Sequence, residues 1–171
     1  MTLYQKIGSI GTKYIDKHIL FKYGFNFSPM YRRSTAKITY VSKDLLNIKI
    51  KLPISYKNKN YIGSIFGGSL FSSVDPIPMV QLINLLEHKY IIWDKSAQII
   101  FNIPARDDLY AEFTFNEEEL NQIREQVEKD NETVIVKTTC LTNKDQTKVF
   151  CEVRKTIYIS KKSNYRKRRR Q

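Results

Sequence analysis

The sequence has few of the residues on which several common chemistries depend. Its 171 residues include only two cysteines, two histidines and six glycines. Cys140 and Cys151 lie on predicted neighbouring strands without a CxxC spacing, so we expect free thiols of a reducing compartment rather than a disulfide. No group of histidine, cysteine or acidic residues has the spacing of a metal site, and we predict neither a metal nor a cofactor.

Long hydrophobic runs are also missing. No apolar stretch approaches the roughly 20 residues that span a bilayer, so we predict no transmembrane segment. Lysines and glycines interrupt each hydrophobic cluster of the first 20 residues, so we expect no secretion signal and a cytoplasmic protein. The 42% hydrophobic content is in the globular range, and the length is that of about one domain.

Acidic residues are scarce relative to basic ones, and the net charge is +12. Such an excess favours anionic partners: a phosphorylated ligand, a nucleic acid or an anionic membrane surface. Residues 161–171 hold seven of the positive charges and almost nothing that can pack, so we predict a basic disordered tail there. No nucleic-acid-binding motif accompanies this tail, and we do not expect a nucleic acid partner.

The hydrophobic pattern divides the chain into three parts. Apolar residues at intervals of three to five between residues 3 and 22 predict an amphipathic helix, which should end in a break over residues 24–29. We therefore predict an N-terminal helical extension over residues 1–30, one domain over residues 31–160, and the tail over residues 161–171. Lysines along the helix leave membrane-surface binding as a minority alternative.

The central part combines strands with one apolar helix. Alternation of apolar and polar residues begins near Ala36 and predicts strands at 47–52, 97–103, 109–115, 134–140 and 149–153. Asn116 begins a polar helix that reaches about residue 129. From Gly67 to His88, apolar residues cover most of a helical circumference, so this helix should be enclosed on most sides. The pattern is that of an α+β protein with an antiparallel sheet.

A run of glycines and polar residues at the start of this helix resembles a known signature. The run is Asn60-Tyr61-Ile62-Gly63-Ser64-Ile65-Phe66-Gly67-Gly68, with Asp75 eight residues after Gly67. It resembles the Asn-x-x-Gly-[Ser/Thr]-x-His-Gly-Gly pattern of hotdog-fold thioesterases of the phenylacetate-pathway type, which have an acidic residue at the same later spacing. Residues 104–109 resemble the Pro-Ala-x-Gly-Asp turn of that fold, so the likeness covers roughly residues 36–160.

The wider sequence, including residues 90–95, is more similar still to a bacterial hotdog family with no assigned function. The resemblance implies a hotdog fold, in which a curved antiparallel β-sheet wraps around a long central α-helix, here with an extra N-terminal helix. It also implies an acyl thioester ligand such as an acyl-CoA, held at the interface of a homodimer or of a dimer of dimers.

The resemblance implies a role for each residue of the motif. Adjacent glycines let a ligand approach the backbone, and unpaired amides at a helix start can hold a thioester carbonyl, so Gly67 is the leading oxyanion donor. Asp75 would activate water or attack directly, and Asn60 would orient the carbonyl or water. Asp94 falls near the family's Ser or Thr that positions water. Gly68, Phe66 and Ser64 are expected to contact the substrate.

Two features leave the chemistry open. Phe66 stands where the family has a histidine and cannot donate a hydrogen bond, so the chain either hydrolyses thioesters more slowly or binds acyl groups without cleaving them. Asp75 precedes Pro76, and Pro78 follows, so Asp75 has a second interpretation as a cap of the segment that begins at Pro76. The glycine pair likewise has an alternative role in tight packing of the helix against the sheet.

Overall fold

Six β-strands form one antiparallel sheet in the computed structural model, which describes residues 15–168. The strands are β1 (Lys37–Val41), β2 (Asn47–Leu52), β3 (Tyr90–Phe101), β4 (Leu109–Thr114), β5 (Glu132–Thr142) and β6 (Val149–Lys161). Their order across the sheet is β1-β2-β4-β5-β6-β3. The edge strands of the sheet are therefore β1, which pairs with β2, and β3, which pairs with β6.

Helices occupy the connections between strands. They are α1 (Lys17–Phe27), α2 (Pro29–Arg32), α3 (Gly67–Val74), α4 (Pro76–Leu85), α5 (Glu117–Asp130) and α6 (Lys162–Arg168). None of these helices is both long and apolar enough to cross a membrane. The α5 helix begins as predicted, with the Asn116 side chain accepting a hydrogen bond from the Glu119 amide at 2.7 Å.

The central helix, formed by α3 and α4, is enclosed by the sheet. Apolar side chains project on most sides of this segment and require cover. Accordingly, every residue from 69 to 86 is buried or half-buried. Leu70, Val74 and Ile77 join one core cluster, and Leu82 and Leu86 join a second. The predicted α+β architecture, a curved antiparallel sheet around a buried helix, is confirmed.

The central helix bends at Asp75 without breaking. Pro76 and Pro78 lack amide hydrogens and cannot complete the helical ladder, and a residue before proline ordinarily avoids helical dihedrals. Asp75 nevertheless has φ −49° and ψ −54°, and its side chain caps no amide of α4. The buried Tyr31 hydroxyl donates to the Ser73 carbonyl at 3.0 Å and supports this bend from the other side of the core.

The sheet opens between β4 and β5. These strands share a single paired position, Tyr110 with Thr142. Beyond it, side chains reach the free edge of β4: Lys137 Nζ donates to the Thr114 carbonyl at 2.9 Å, and Gln81 Nε2 of the central helix lies 3.5 Å from the Phe113 carbonyl. These bonds satisfy backbone oxygens that an opened sheet would otherwise leave unpaired.

The N-terminal helix differs from its predicted limits. Residues 1–14, where we predicted its first turns, lie outside the described residues. The helix runs through Gly24 to Phe27, so the expected start of the break at residue 24 is wrong. The Phe25 ring stacks on Phe21 at 4.8 Å and meets Tyr31 edge-on at 5.3 Å, and this packing outweighs the low helix propensity of glycine.

The C-terminal segment also differs from the sequence prediction. β6 continues to Lys161, eight positions past the predicted end at Val153, and α6 follows directly. The Tyr165 ring lies 5.5 Å from Trp93, and Asn164 Nδ2 donates to Glu132 at 3.0 Å. The prediction of a disordered tail therefore does not fit residues 161–165, because Tyr165 and Asn164 contact residues of the sheet. The three-part division of the chain otherwise stays a prediction.

Candidate functional site

The start of α3 is held in place by two backbone hydrogen bonds. The Ile65 amide donates to the Ala105 carbonyl, and the Phe66 amide donates to the Asn58 carbonyl, both at 2.8 Å. Asn58 is itself buried and bonded to Pro53 and Thr35. The glycine motif and the turn at residues 104–109, which the sequence identified separately, therefore meet at this helix start.

The first two amides of α3 are unpaired. The Ser69 and Leu70 amides both donate to the Phe66 carbonyl, whereas those of Gly67 and Gly68 find no acceptor within residues 15–168. Gly67 is half-buried and Gly68 is exposed. Because the helix dipole places partial positive charge here, the helix start can accept an anionic or strongly polarised oxygen.

Two aromatic rings border these amides. A Cβ on Gly67 would lie 3.0 Å from the Phe101 ring, and one on Gly68 would lie 2.3 Å from the Phe66 ring. A larger residue at either position would therefore push a ring away from the backbone. Both rings are more than half exposed, at 56% for Phe101 and 58% for Phe66. They line the opening to the amides without sealing it.

Asn60 and Ser64 hold the turn that leads into the helix. Asn60 Oδ1 accepts from the amides of Ile62 at 3.1 Å and Ser64 at 3.0 Å, and its Nδ2 donates to the Ser64 hydroxyl at 2.8 Å. Gly63 has φ +79°, which a glycine adopts without strain. Ser64 is buried. The turn thus occupies much of the hydrogen-bonding capacity of both side chains, and their contacts with a ligand stay predictions.

Asp75 and Asp94 meet at a lysine that the sequence analysis did not identify. The Lys155 ammonium lies 2.6 Å from Asp75 Oδ1 and 2.5 Å from Asp94 Oδ2, and its side chain is 2% exposed. The sequence pattern of β6 already contained a sign of this lysine, because Lys155 occupies a core-facing position between Val153 and Ile157. A lysine in an otherwise apolar alternation is rare unless it is paired, and it could have indicated a buried carboxylate.

Asp94 is half-buried, and one of its carboxylate oxygens is fully enclosed. Its Oδ1 atom is buried and has no hydrogen-bond donor in the described part of the chain. Burial raises the pKa of Asp94 above its usual range, while hydrogen bonding to Lys155 opposes the shift. A bulge between Asp94 and Ser96, where Lys95 has no partner on β6, sets the direction of this side chain.

The helix start and the carboxylates lie at opposite ends of α3. Gly67 and Asp75 are eight residues apart, which corresponds to about 12 Å along a helix. One chain therefore brings Asp75 together with Asp94, and Gly67 together with Gly68 and Phe66, but it does not bring these two groups together.

Two cavities among the described residues lie away from both groups. One of about 350 Å³ opens beside β2, β4 and β5, and one of about 60 Å³ lies at the gap between β4 and β5. Neither is lined by Gly67 or Asp75. Within residues 15–168 no three histidine, cysteine or acidic side chains gather as metal ligands would. Burial raises the pKa of Cys151 to about 11, so this thiol is protonated at neutral pH.

Comparison with known proteins identifies a family and a set of similar folds. The family model described as "Domain of unknown function (DUF4442)" matches residues 17–159. No curated protein matches the sequence. A Pseudomonas aeruginosa protein of unknown function, described as a probable thioesterase, is 18% identical with a TM-score of 0.70, over 84% of this chain and 93% of its own.

Two further solved structures are similar. A Chlorobaculum tepidum protein of unknown function is 16% identical with a TM-score of 0.64, over 93% of this chain and 94% of its own. A Haemophilus influenzae thioesterase is 13% identical with a TM-score of 0.59, over 82% of this chain and 88% of its own. At these identities the likeness shows the hotdog fold.

The burial of Asp94 predicts a pH-dependent contribution to stability. Because its pKa is raised in the folded chain, the stabilisation by the protonated form is complete below the unfolded pKa of about 3.9 and is lost as the pH rises through the folded pKa. We expect the free energy of unfolding of the wild type, relative to Asp94→Asn, to fall as the pH rises from about 4 towards neutrality. Urea denaturation of both proteins at several pH values measures this difference.

Asp108→Asn is a control of opposite sign. The Lys51 ammonium lowers the pKa of Asp108, so the wild type should lose its advantage over this variant as the pH falls. A difference between wild type and Asp94→Asn that stays constant or grows with pH would show that Lys155 outweighs burial at Asp94.

Proposed function

Because the chain belongs to the DUF4442 family and has the hotdog fold, we propose that it binds an acyl thioester such as an acyl-CoA and hydrolyses it between two copies of the chain. The observation that carries this proposal is the pair of unpaired amides at Gly67 and Gly68. The carbonyl oxygen of a thioester gains negative charge as water attacks its carbon. Amides aimed at this oxygen therefore bind the transition state more strongly than the substrate.

Asp75 supplies the base or the nucleophile in this proposal. In the simpler route, its carboxylate takes a proton from water while the water oxygen bonds to the thioester carbon. The carbon–sulfur bond then breaks, and the leaving thiolate takes up a proton. Asn60 and Asp94 orient the carbonyl and the water, whereas Gly68, Phe66 and Ser64 contact the substrate. Similar roles in a homologous fold and the clustering of Asp75 with Asp94 support this assignment.

Two copies are needed because one chain separates the amides from the carboxylates by about 12 Å. The edge strand β3 favours such a pairing: it is 12 residues long and exposes Trp93, Ile100 and Phe101. Antiparallel pairing of two β3 strands centred between Ala97 and Gln98 would place Phe101, which rests on Gly67, opposite Asp94 of the second copy.

Charge and thiol chemistry support the finer parts of the proposal. The net charge of +12 suits the phosphates of coenzyme A. We also propose a cytoplasmic location, which agrees with two free cysteines in the described residues.

A non-catalytic acyl-binding protein is the second candidate. Phe66 offers an exposed apolar ring beside the helix start in place of a histidine donor. A site with this ring retains affinity for an acyl group while it loses one polar contact to the carbonyl.

Release of free thiol from acyl-CoAs with acyl groups from acetyl to palmitoyl tests the proposed hydrolysis. We expect turnover of at least one member, and we expect Asp75→Asn to lower its rate by a factor on the order of 10² or more, since the variant keeps the shape but cannot take a proton. Asp130→Asn, which alters an exposed carboxylate at the end of α5, should leave the rate unchanged. Equal rates for Asp75→Asn and the wild type would remove Asp75 from the mechanism, and saturable binding without turnover would select the second candidate.

Phe66→His restores the donor of the family signature. Because one oxyanion-type donor typically contributes ~10² to 10³ in rate, we expect this variant to hydrolyse the same acyl-CoA at least tenfold faster than the wild type. Phe66→Leu, which removes the ring without adding a donor, is the matched control. An unchanged rate in Phe66→His would mean that residue 66 does not face the thioester carbonyl.

Light scattering after size-exclusion chromatography tests the pairing of two copies. The wild type should elute at twice the mass of one chain, or four times for a dimer of dimers. Ile100→Lys should shift it towards one chain, because charge on an edge strand opposes edge-to-edge pairing. Val136→Lys changes an exposed apolar residue on β5, in the interior of the sheet, and should not affect the mass. A wild type that elutes as one chain at micromolar concentration would contradict the proposal.

A further inference from the structure

We propose that Lys155 is a positioning residue of this site, which holds Asp75 and Asp94 as one unit and leaves a single Asp75 carboxylate oxygen free to act. The inference rests on the proposed function, because it concerns how the same carboxylate is presented to water or thioester. It adds a residue that lies outside the motif at residues 60–75.

The Lys155 ammonium uses its full hydrogen-bonding capacity within the cluster. A lysine ammonium has three hydrogens to donate. Lys155 Nζ has three acceptors within reach: the Asp75 carbonyl at 2.5 Å, Asp75 Oδ1 at 2.6 Å and Asp94 Oδ2 at 2.5 Å. Every donor is therefore used, and the group has none left for a ligand. Lys155 acts through its two partners rather than on the substrate.

Lys155 holds Asp75 at two points. Its backbone carbonyl and one of its carboxylate oxygens bind the same nitrogen, so the side chain cannot rotate about its first torsion without losing a charge-assisted bond. Oδ2 of Asp75 has no donor among residues 15–168, and the side chain is 39% exposed. One oxygen is thus fixed, and the other remains open on the solvent side.

A buried charge cluster of this kind is a weak way to stabilise a fold. Desolvation of a buried lysine and of partly buried carboxylates opposes folding, and apolar replacements of such a cluster are often as stable. Asp94 adds to this cost, because its buried Oδ1 lacks a donor. A cluster that contributes little to stability but orients two carboxylates is typical of a functional site.

Lys155→Met tests the proposal, with Lys155→Arg as the conservative variant. We expect Lys155→Met to lower kcat by about 10²-fold, the effect of a misplaced catalytic group, with KM changed less than threefold. The acid limb of the pH–rate profile should move to higher pH, because loss of the ammonium removes the hydrogen bond and the charge that oppose the raised pKa of Asp94. Lys155→Arg keeps the charge and should return the acid limb to its wild-type position.

Lys137→Met is the matched control. Lys137 lies opposite Lys155 on the neighbouring strand and also pairs with a carboxylate, but it reaches Glu119 on α5 rather than the site. This variant should keep the wild-type kcat and pH profile. Equal losses of kcat in Lys137→Met and Lys155→Met would reduce Lys155 to a general structural role and overturn the proposal.

A readout on the wild type separates this inference from the proposed function and does not require a folded variant. In NMR spectra of the wild type, the Lys155 ammonium hydrogens should exchange slowly with water, because all three are bonded and the side chain is buried. Exchange as fast as that of exposed lysines would overturn the positioning role. If no acyl-CoA is hydrolysed but slow exchange is found, the proposed hydrolysis fails while the charge cluster is supported.

Discussion

A helix with apolar side chains on most of its circumference must be covered on most sides, and this constraint organises the structure. The sheet curves around α3 and α4, and no residue between positions 69 and 86 is exposed. Polar groups on such a helix can meet solvent or ligand only where the cover ends. The unpaired amides of Gly67 and Gly68 lie at its beginning, and Asp75 lies at its bend, so the candidate chemistry is confined to these two places.

At the bend, side chains bind backbone carbonyl oxygens that precede the prolines. Pro76 and Pro78 remove two amide donors from the central helix. Tyr31 supports the Ser73 carbonyl, and Lys155 binds the Asp75 carbonyl together with its carboxylate. Asp75 therefore still faces the sheet although prolines follow it. Lys155 of β6 binds the carbonyl and one carboxylate oxygen of Asp75 together with one carboxylate oxygen of Asp94.

The parts of the proposed site lie at two separate locations of one chain. The fold agrees with that of solved thioesterases, and the glycine motif and Asp75 resemble the hotdog signature, whereas Phe66 departs from its histidine. An exposed edge strand between the two locations gives a second copy a place to pair. The free amides and the clustered carboxylates therefore support the proposed shared site, and Phe66 is the residue on which the choice between hydrolysis and binding alone depends in that proposal.

The sequence by itself determined the architecture and the helix start. Period-two and near-continuous apolar patterns predicted the strands at 47–52 and 109–115 and the central helix, because burial on one face or on all faces leaves a local signature. The glycine motif identified the amides, since only glycine lets the Phe66 and Phe101 rings lie against the backbone.

Only the tertiary structure decided the rest. Three features depended on contacts with distant residues such as Tyr31 and Trp93. They are the helical backbone at Asp75 despite the following prolines, the continuation of the N-terminal helix past Gly24, and the packing of residues 161–165. Lys155 is the clearest case, because it is 80 residues from Asp75 and 61 from Asp94. A sequence pattern records which face a residue occupies, but the partners of a buried charge are set by how distant strands and helices are brought together.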